Sequence, residues 1–83
     1  MILKGKKTLV VGAGKTGLAV TRFLLRRGAV VTLTDSKKKE QLGREVDTLT
    51  AAGVRIELGH YPEVRPGVFD LVVVSPGVPP HVP

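Results

Sequence analysis

The chain has 83 residues, a net charge of +6 and no cysteine. That length allows one small domain with a modest core. The missing thiols exclude disulfides and thiolate metal sites, and two histidines leave zinc without a ligand set. No apolar stretch approaches a membrane span, and the run at Ile2-Leu3 is too short for a signal peptide, so no membrane insertion and a cytoplasmic location are expected.

Ten of the thirteen Lys and Arg fall in residues 1 to 39, against one acid there, Asp35. The basic half contains the glycine loop described below, so its field is expected to draw in an anionic ligand. Only two Phe, one Tyr and no Trp are present, which leaves no base-stacking platform. Nucleic acid is therefore not an expected partner.

Thr8-Leu9-Val10-Val11 is a branched apolar run suited to a parallel strand covered on both faces. It leads into Gly12-Ala13-Gly14-Lys15-Thr16-Gly17, whose glycines fit G-x-G-x-x-G, the fingerprint of a dinucleotide-type fold. Gly12 permits the tight turn, Gly14 a close approach of backbone to a diphosphate, and Gly17 close packing of the next helix on the sheet. Residues Lys15 to Arg27 have helical composition. Leu18, Ala19, Phe23 and Leu24 are expected near one face, with Arg22, Arg26 and Arg27 in solvent. Gly28, following a basic last turn, caps that helix.

Val30 to Thr34 forms a second strand and delivers Asp35 at its carboxyl end, eighteen residues after Gly17. A carboxylate there reads as a nucleoside acceptor or as a turn residue. Ser36 can cap a local turn, and Lys37-Lys38-Lys39 follows as a cationic rim, of which Lys37 adjoins Asp35. Residues Glu40 to Ala52 suit a second helix, with Leu42, Val46, Leu49 and Ala52 on one side, weakened by Gly43 and capped by Gly53. Val54 to Leu58 alternates as a third strand near the sheet edge. Gly59 to Gly67, with Pro62 and Pro66, holds no long regular element. Phe69 to Val74 reads as the most buried strand of all and runs into the turn Ser75-Pro76-Gly77.

This alternation of strand and helix predicts an α/β fold: a Rossmann-like open parallel β-sheet flanked by helices, in a single small domain over residues 1 to 78. Proline-rich residues 79 to 83 read as the start of a linker. The carboxyl ends of parallel strands share one edge, so Gly12 to Gly17, Asp35 to Lys37 and Ser75 to Gly77 should converge on one crevice. Gly14-Lys15-Thr16 is not the tail of a triphosphate loop, because Leu9 occupies the position where G-x-x-x-x-G-K-[ST] needs glycine. His60 and His81 have no identifiable partner, and nothing pairs a nucleophile with a base. The stretch is expected to bind, and no catalytic residues are expected in it.

Taken together, Lys4-Gly-Lys-Lys, Val10-Val-Gly-Ala-Gly-Lys-Thr-Gly-Leu-Ala19, Thr34-Asp-Ser-Lys37 and Val74-Ser-Pro-Gly-Val78 resemble the amino-terminal domain of the Mur ligases of peptidoglycan synthesis. The likeness is greatest to members that join D-glutamate to UDP-N-acetylmuramoyl-L-alanine. It implies a domain that binds the UDP of that substrate. By position, Gly14, Lys15, Thr16 and Gly17 would meet the diphosphate, Asp35, Ser36 and Lys37 would surround the uracil, and Ser75, Pro76 and Gly77 would close the diphosphate side. The resemblance also implies a full-length enzyme that uses ATP and magnesium, held by central and carboxyl-terminal domains absent from these residues. The alternative is an NAD(P)-binding Rossmann module, with Asp35 on the adenosine ribose.

Overall fold

The computed structural model describes residues 2–59 and 67–75. Its elements are β1 (Lys7–Val11), α1 (Lys15–Arg26), β2 (Val30–Asp35), a 3-10 turn (Lys39–Gln41), α2 (Glu45–Ala51), β3 (Arg55–Leu58) and β4 (Leu71–Val74). The strands form one parallel sheet in the order β3-β2-β1-β4. Successive strands step outward from β1 to β3, and β4 returns to the other side of β1. The chain thus reverses direction beside β1, the place where open α/β sheets form a crevice at their carboxyl ends.

Register explains which side chains are buried. Val10 pairs with Leu33 and with Val73, and Thr8 pairs with Val31 and with Leu71, so these residues share one face. Against it α1 sets Leu18 and Leu24 and α2 sets Leu49, in one buried cluster with Val10, Val31, Leu33 and Val54. Both helices end in the same device. At α1 the N–H of Gly28 donates to Leu25 O and that of Ala29 to Leu24 O; at α2, Gly53 donates to Thr50 O and Val54 to Leu49 O. This is the paired closure in which a left-handed residue reverses the chain, and Gly28 and Gly53 adopt φ of 79° and 102°. The pairs Leu24/Ala29 and Leu49/Val54 are all buried, so each cap also feeds the core.

Three expectations are corrected. The buried side of α1 is Gly17, Leu18, Thr21 and Leu24, while Ala19 and Phe23 are exposed. Thr21 is accommodated because its hydroxyl donates to Gly17 O at 2.8 Å, and Phe23 lies under the Arg27 guanidinium at 5.1 Å. Secondly, the helix expected over 40–52 is split: the 3-10 turn ends at Gln41, and Gly43, at φ 83°, precedes a shorter α2. Thirdly, β4 is not the most buried strand. Among the described residues its one strand neighbour is β1, and Val72 and Val74 are 41% and 58% exposed. The third strand does lie at the sheet edge. Residues 60–66 and the proposed linker at 79–83 lie outside the described residues.

Candidate functional site

Val11 pairs with Thr34 on one side and with Val74 on the other, so β1, β2 and β4 end in a single row. Gly12, Asp35 and Ser75 are each the next residue. The row is fastened by backbone bonds: Gly12 N–H donates to Thr34 O and Ser75 N–H to Val11 O, both at 2.8 Å. The structure therefore brings the glycine loop, the 35–37 turn and Ser75 to one edge. Pro76 and Gly77 lie outside the described residues.

The glycine loop divides into two kinds of glycine. A Cβ on Gly17 would stand 1.7 Å from Gly12 O, an impossible contact, so the helix can approach the strand end only with glycine there. Gly14 is different: a Cβ would meet nothing within 4 Å, and its φ of −73° suits any residue. What its missing side chain leaves is open space over the loop. Gly14 also caps α1, its carbonyl accepting from Leu18 N–H at 2.9 Å, with no side-chain cap and no acid in the first turn. The first-turn N–H groups of Lys15, Thr16 and Gly17 have no acceptor within the helix and, with the dipole's positive end, make this edge a site for anions. Lys15, Thr16, Ser36 and Lys37 are exposed along it, whereas Ser75 is buried.

Asp35 has a more definite task than its position in sequence discloses. It is only 9% exposed. Its Oδ2 accepts the N–H of Ala13 at 2.7 Å and its Oδ1 the N–H of Lys37 at 2.8 Å. One carboxylate thus ties the glycine loop to the 35–37 turn. From the other side, Gly59 N–H bonds Asp35 O at 3.0 Å and Lys37 O at 3.1 Å. Ala13 and Gly59 were not marked out by sequence reasoning. Ala13 participates through its backbone alone, which no side-chain pattern reports; Gly59 could have been noticed as a glycine directly following an apolar strand.

The charge reading needs correction. Lys4, Lys6, Lys7, Arg26 and Arg27 do not surround the glycine loop. Gly5 N–H bonds Gly28 O at 2.9 Å, Val30 N–H bonds Lys6 O at 2.8 Å, and Lys7 pairs with Val30, which places these residues at the amino ends of the strands. Strand length alone sets roughly 15 Å between the two ends, beyond the ~8 Å Debye length at physiological ionic strength. The local field at the loop comes from the helix terminus, Lys15 and the 37–38 lysines.

With this geometry in view, comparison with known proteins is decisive. The sequence model of the family described as Mur ligase MurD-like, N-terminal domain, matches residues 6–83. The chain belongs to this family. Among curated relatives, this MurD-like domain is 57% identical over 74 residues to the UDP-N-acetylmuramoylalanine–D-glutamate ligase of Pelotomaculum thermopropionicum, covering 89% of this chain and 16% of that protein. It is 48% identical over 83 residues to the ligase of the same name from Acidobacterium capsulatum, covering all of this chain and 18% of the relative. The chain thus spans less than a fifth of the length of these relatives. Among solved structures it resembles a covalent putidaredoxin reductase–putidaredoxin complex, with TM-score 0.74, 19% identity, and coverage of 88% of this chain and 24% of that one. It also resembles SirC, a precorrin-2 dehydrogenase, with TM-score 0.66, 23% identity, and coverage of 90% and 36%. At those identities the likeness establishes the Rossmann-like fold and nothing about ligands.

Proposed function

We propose that this MurD-like N-terminal domain holds the UDP moiety of UDP-N-acetylmuramoyl-L-alanine for a ligase that adds D-glutamate to it. The observation that carries the reading is the start of α1, without a side-chain cap, set in one row with the 35–37 turn and Ser75, in a chain of this family. Backbone N–H groups of Lys15 and Thr16, with the Thr16 hydroxyl, donate to diphosphate oxygens, and the open space over Gly14 lets those oxygens come close. Gly17 keeps the helix start against the strand end. Each Asp35 oxygen has one lone pair left after its backbone bond. The part-buried Oδ1 side accepts the uracil imide N–H, with Ser36 and Lys37 around the ring. Ser75, Pro76 and Gly77 complete the diphosphate side.

ATP and magnesium do not fit the residues described here. The loop lacks the triphosphate spacing at Leu9, and among the described residues no three His, Cys, Asp or Glu cluster as a metal site. In this reading, the central and carboxyl-terminal domains of the full-length enzyme supply both groups and the ligase chemistry, and this chain alone is inactive. No helix among the described residues is long and apolar enough to cross a membrane. The substrate's nucleotide is met in the cytoplasm.

The alternative NAD(P) reading rests on Asp35 as an acceptor for the adenosine ribose. Titration of the isotope-labelled domain separates the two. UDP is expected to shift the amide signals of residues 14–17 and 35–37 more than NAD does at equal concentration. The reverse order overturns the UDP assignment. In the full-length gene, a G-x-x-G-K-[ST] loop is expected within a few dozen residues after Pro83.

A further inference from the structure

The third strand contributes to the 35–37 turn a group that no side-chain pattern marks. Asp35 pairs with Leu58, so Gly59 stands beside Ser36, one step past the ends of β2 and β3. Its N–H is shared, donating to Asp35 O at 3.0 Å and to Lys37 O at 3.1 Å. Across the same turn the Lys37 N–H donates to Asp35 Oδ1 at 2.8 Å. The segment is thereby curled around a single donor from β3, with the carbonyls of Asp35 and Lys37 both turned toward Gly59. That donor is well anchored. Leu33 pairs with Ile56 in the sheet, and Val54, just before β3, is buried in the core.

Which carbonyls the turn leaves available decides which base suits it. The pairing edge of uracil presents a carbonyl, the imide N–H and a second carbonyl, so its complement is one acceptor flanked by donors. Asp35 Oδ1 supplies the acceptor, and the exposed Ser36 and Lys37 carry hydroxyl and ammonium donors. Two further carbonyl oxygens released at this turn would oppose the uracil carbonyls and would instead suit the amino group of cytosine. The Gly59 N–H takes both out of use, and specificity gained by withholding a wrong partner is as real as that gained by adding a right one.

We propose, on the UDP reading above, that Gly59 is a positioning residue for base selection: by holding the carbonyls of Asp35 and Lys37, its N–H favours uracil over cytosine without touching the ligand. The bland role of Gly59 is to turn the chain after β3, for which its φ of 84° suffices. The two roles are separable, because a Cβ at Gly59 meets nothing within 4 Å and leaves the N–H in place.

The test is calorimetric titration of the full-length protein with UDP and with CDP, a non-hydrolysable ATP analogue filling any triphosphate site. The two nucleotides share ribose and diphosphate, so the ratio of their affinities reports the base alone. Glycolate in place of Gly59, introduced by stop-codon suppression, turns the amide between residues 58 and 59 into an ester, which removes the donor and keeps the backbone freedom. UDP affinity is expected to fall roughly five- to tenfold and CDP affinity to change by less than about twofold. Gly59→Ala retains the N–H and is expected to hold the UDP-to-CDP ratio within about twofold of wild type, while the strained φ lowers its melting midpoint. The proposal is overturned if the ester weakens both nucleotides equally, or if Gly59→Ala erases the preference as fully as the ester does. A preference for UDP that survives the ester refutes the proposal alone; wild-type protein with no preference for UDP over CDP refutes the UDP reading and the proposal with it.

Discussion

Replacing Asp35 with Asn tests whether the carboxylate is chiefly a clasp within the protein or a reader of the ligand. The wild-type side chain accepts two backbone N–H groups, from Ala13 at 2.7 Å and from Lys37 at 2.8 Å, at 9% exposure. Asn has one acceptor oxygen, so one bond survives and the amide NH2 is turned toward the other N–H. A hydrogen bond to a charged acceptor is worth about 1.5–3 kcal/mol, and an unsatisfied buried donor costs a similar amount. The expected loss is about 2 kcal/mol. For 83 residues the whole stability is on the order of 4–12 kcal/mol. At about 4–8 °C per kcal/mol for a domain of this size, the melting midpoint should fall by roughly 8–16 °C. Urea denaturation gives the free energy, and the amide signals of Ala13 and Lys37 report which bond was lost. A variant that melts within about 2 °C of wild type, yet no longer responds to UDP, would refute the clasp and assign Asp35 wholly to the ligand.

Other substitutions separate packing from binding at the same edge. Gly17→Ala must displace Gly12 O from 1.7 Å and is expected to destabilise by at least about 3 kcal/mol in urea titration. Gly14→Ala meets nothing within 4 Å, so stability should change by less than about 1 kcal/mol, while calorimetric affinity for UDP falls as the new methyl fills the space over the loop. Gly28→Ala, at φ 79°, should lower stability by about 1–2 kcal/mol with no effect on UDP affinity. Arg22→Ala, which breaks an ion pair whose side chains are 47% and 57% exposed, should change stability by less than about 1 kcal/mol and less still at high salt.

Where sequence and structure agree, a short-range rule was in force. Gly28 and Gly53 follow helices whose capping needs φ > 0, and that requirement is written in the residue type itself. The row of Gly12, Asp35 and Ser75 was legible because parallel strands cannot place their carboxyl ends elsewhere. What failed was information not carried locally. Counting charges along the chain put the basic half at the glycine loop, but β1 and α1 run in opposite directions, so the residues before one and at the end of the other meet at the far end. The face of α1 was misjudged because Phe23 counts as apolar, while a buried Thr21 satisfies its hydroxyl on Gly17 O one turn back.

The fourth strand shows a different kind of disagreement. Leu71-Val72-Val73-Val74 is apolar at every position, the pattern of a strand covered on both faces. Yet Val72 and Val74 stand exposed on the face opposite the α1–α2 core. Alternation would have sufficed for a strand with one dry face; β3, where Arg55 and Glu57 face away from that core, does alternate. Selection of valine at both 72 and 74 therefore answers to cover that the described residues do not provide. In a chain spanning less than a fifth of its relatives, that cover is expected from further residues of the full-length protein. Amide exchange at Leu71 to Val74 should accordingly be slower in the full-length protein than in the 83-residue chain, whereas exchange at Leu9 and Val10, already buried in the sheet centre, should differ little. Equal protection of β4 in both would mean that its double apolar face serves this domain alone.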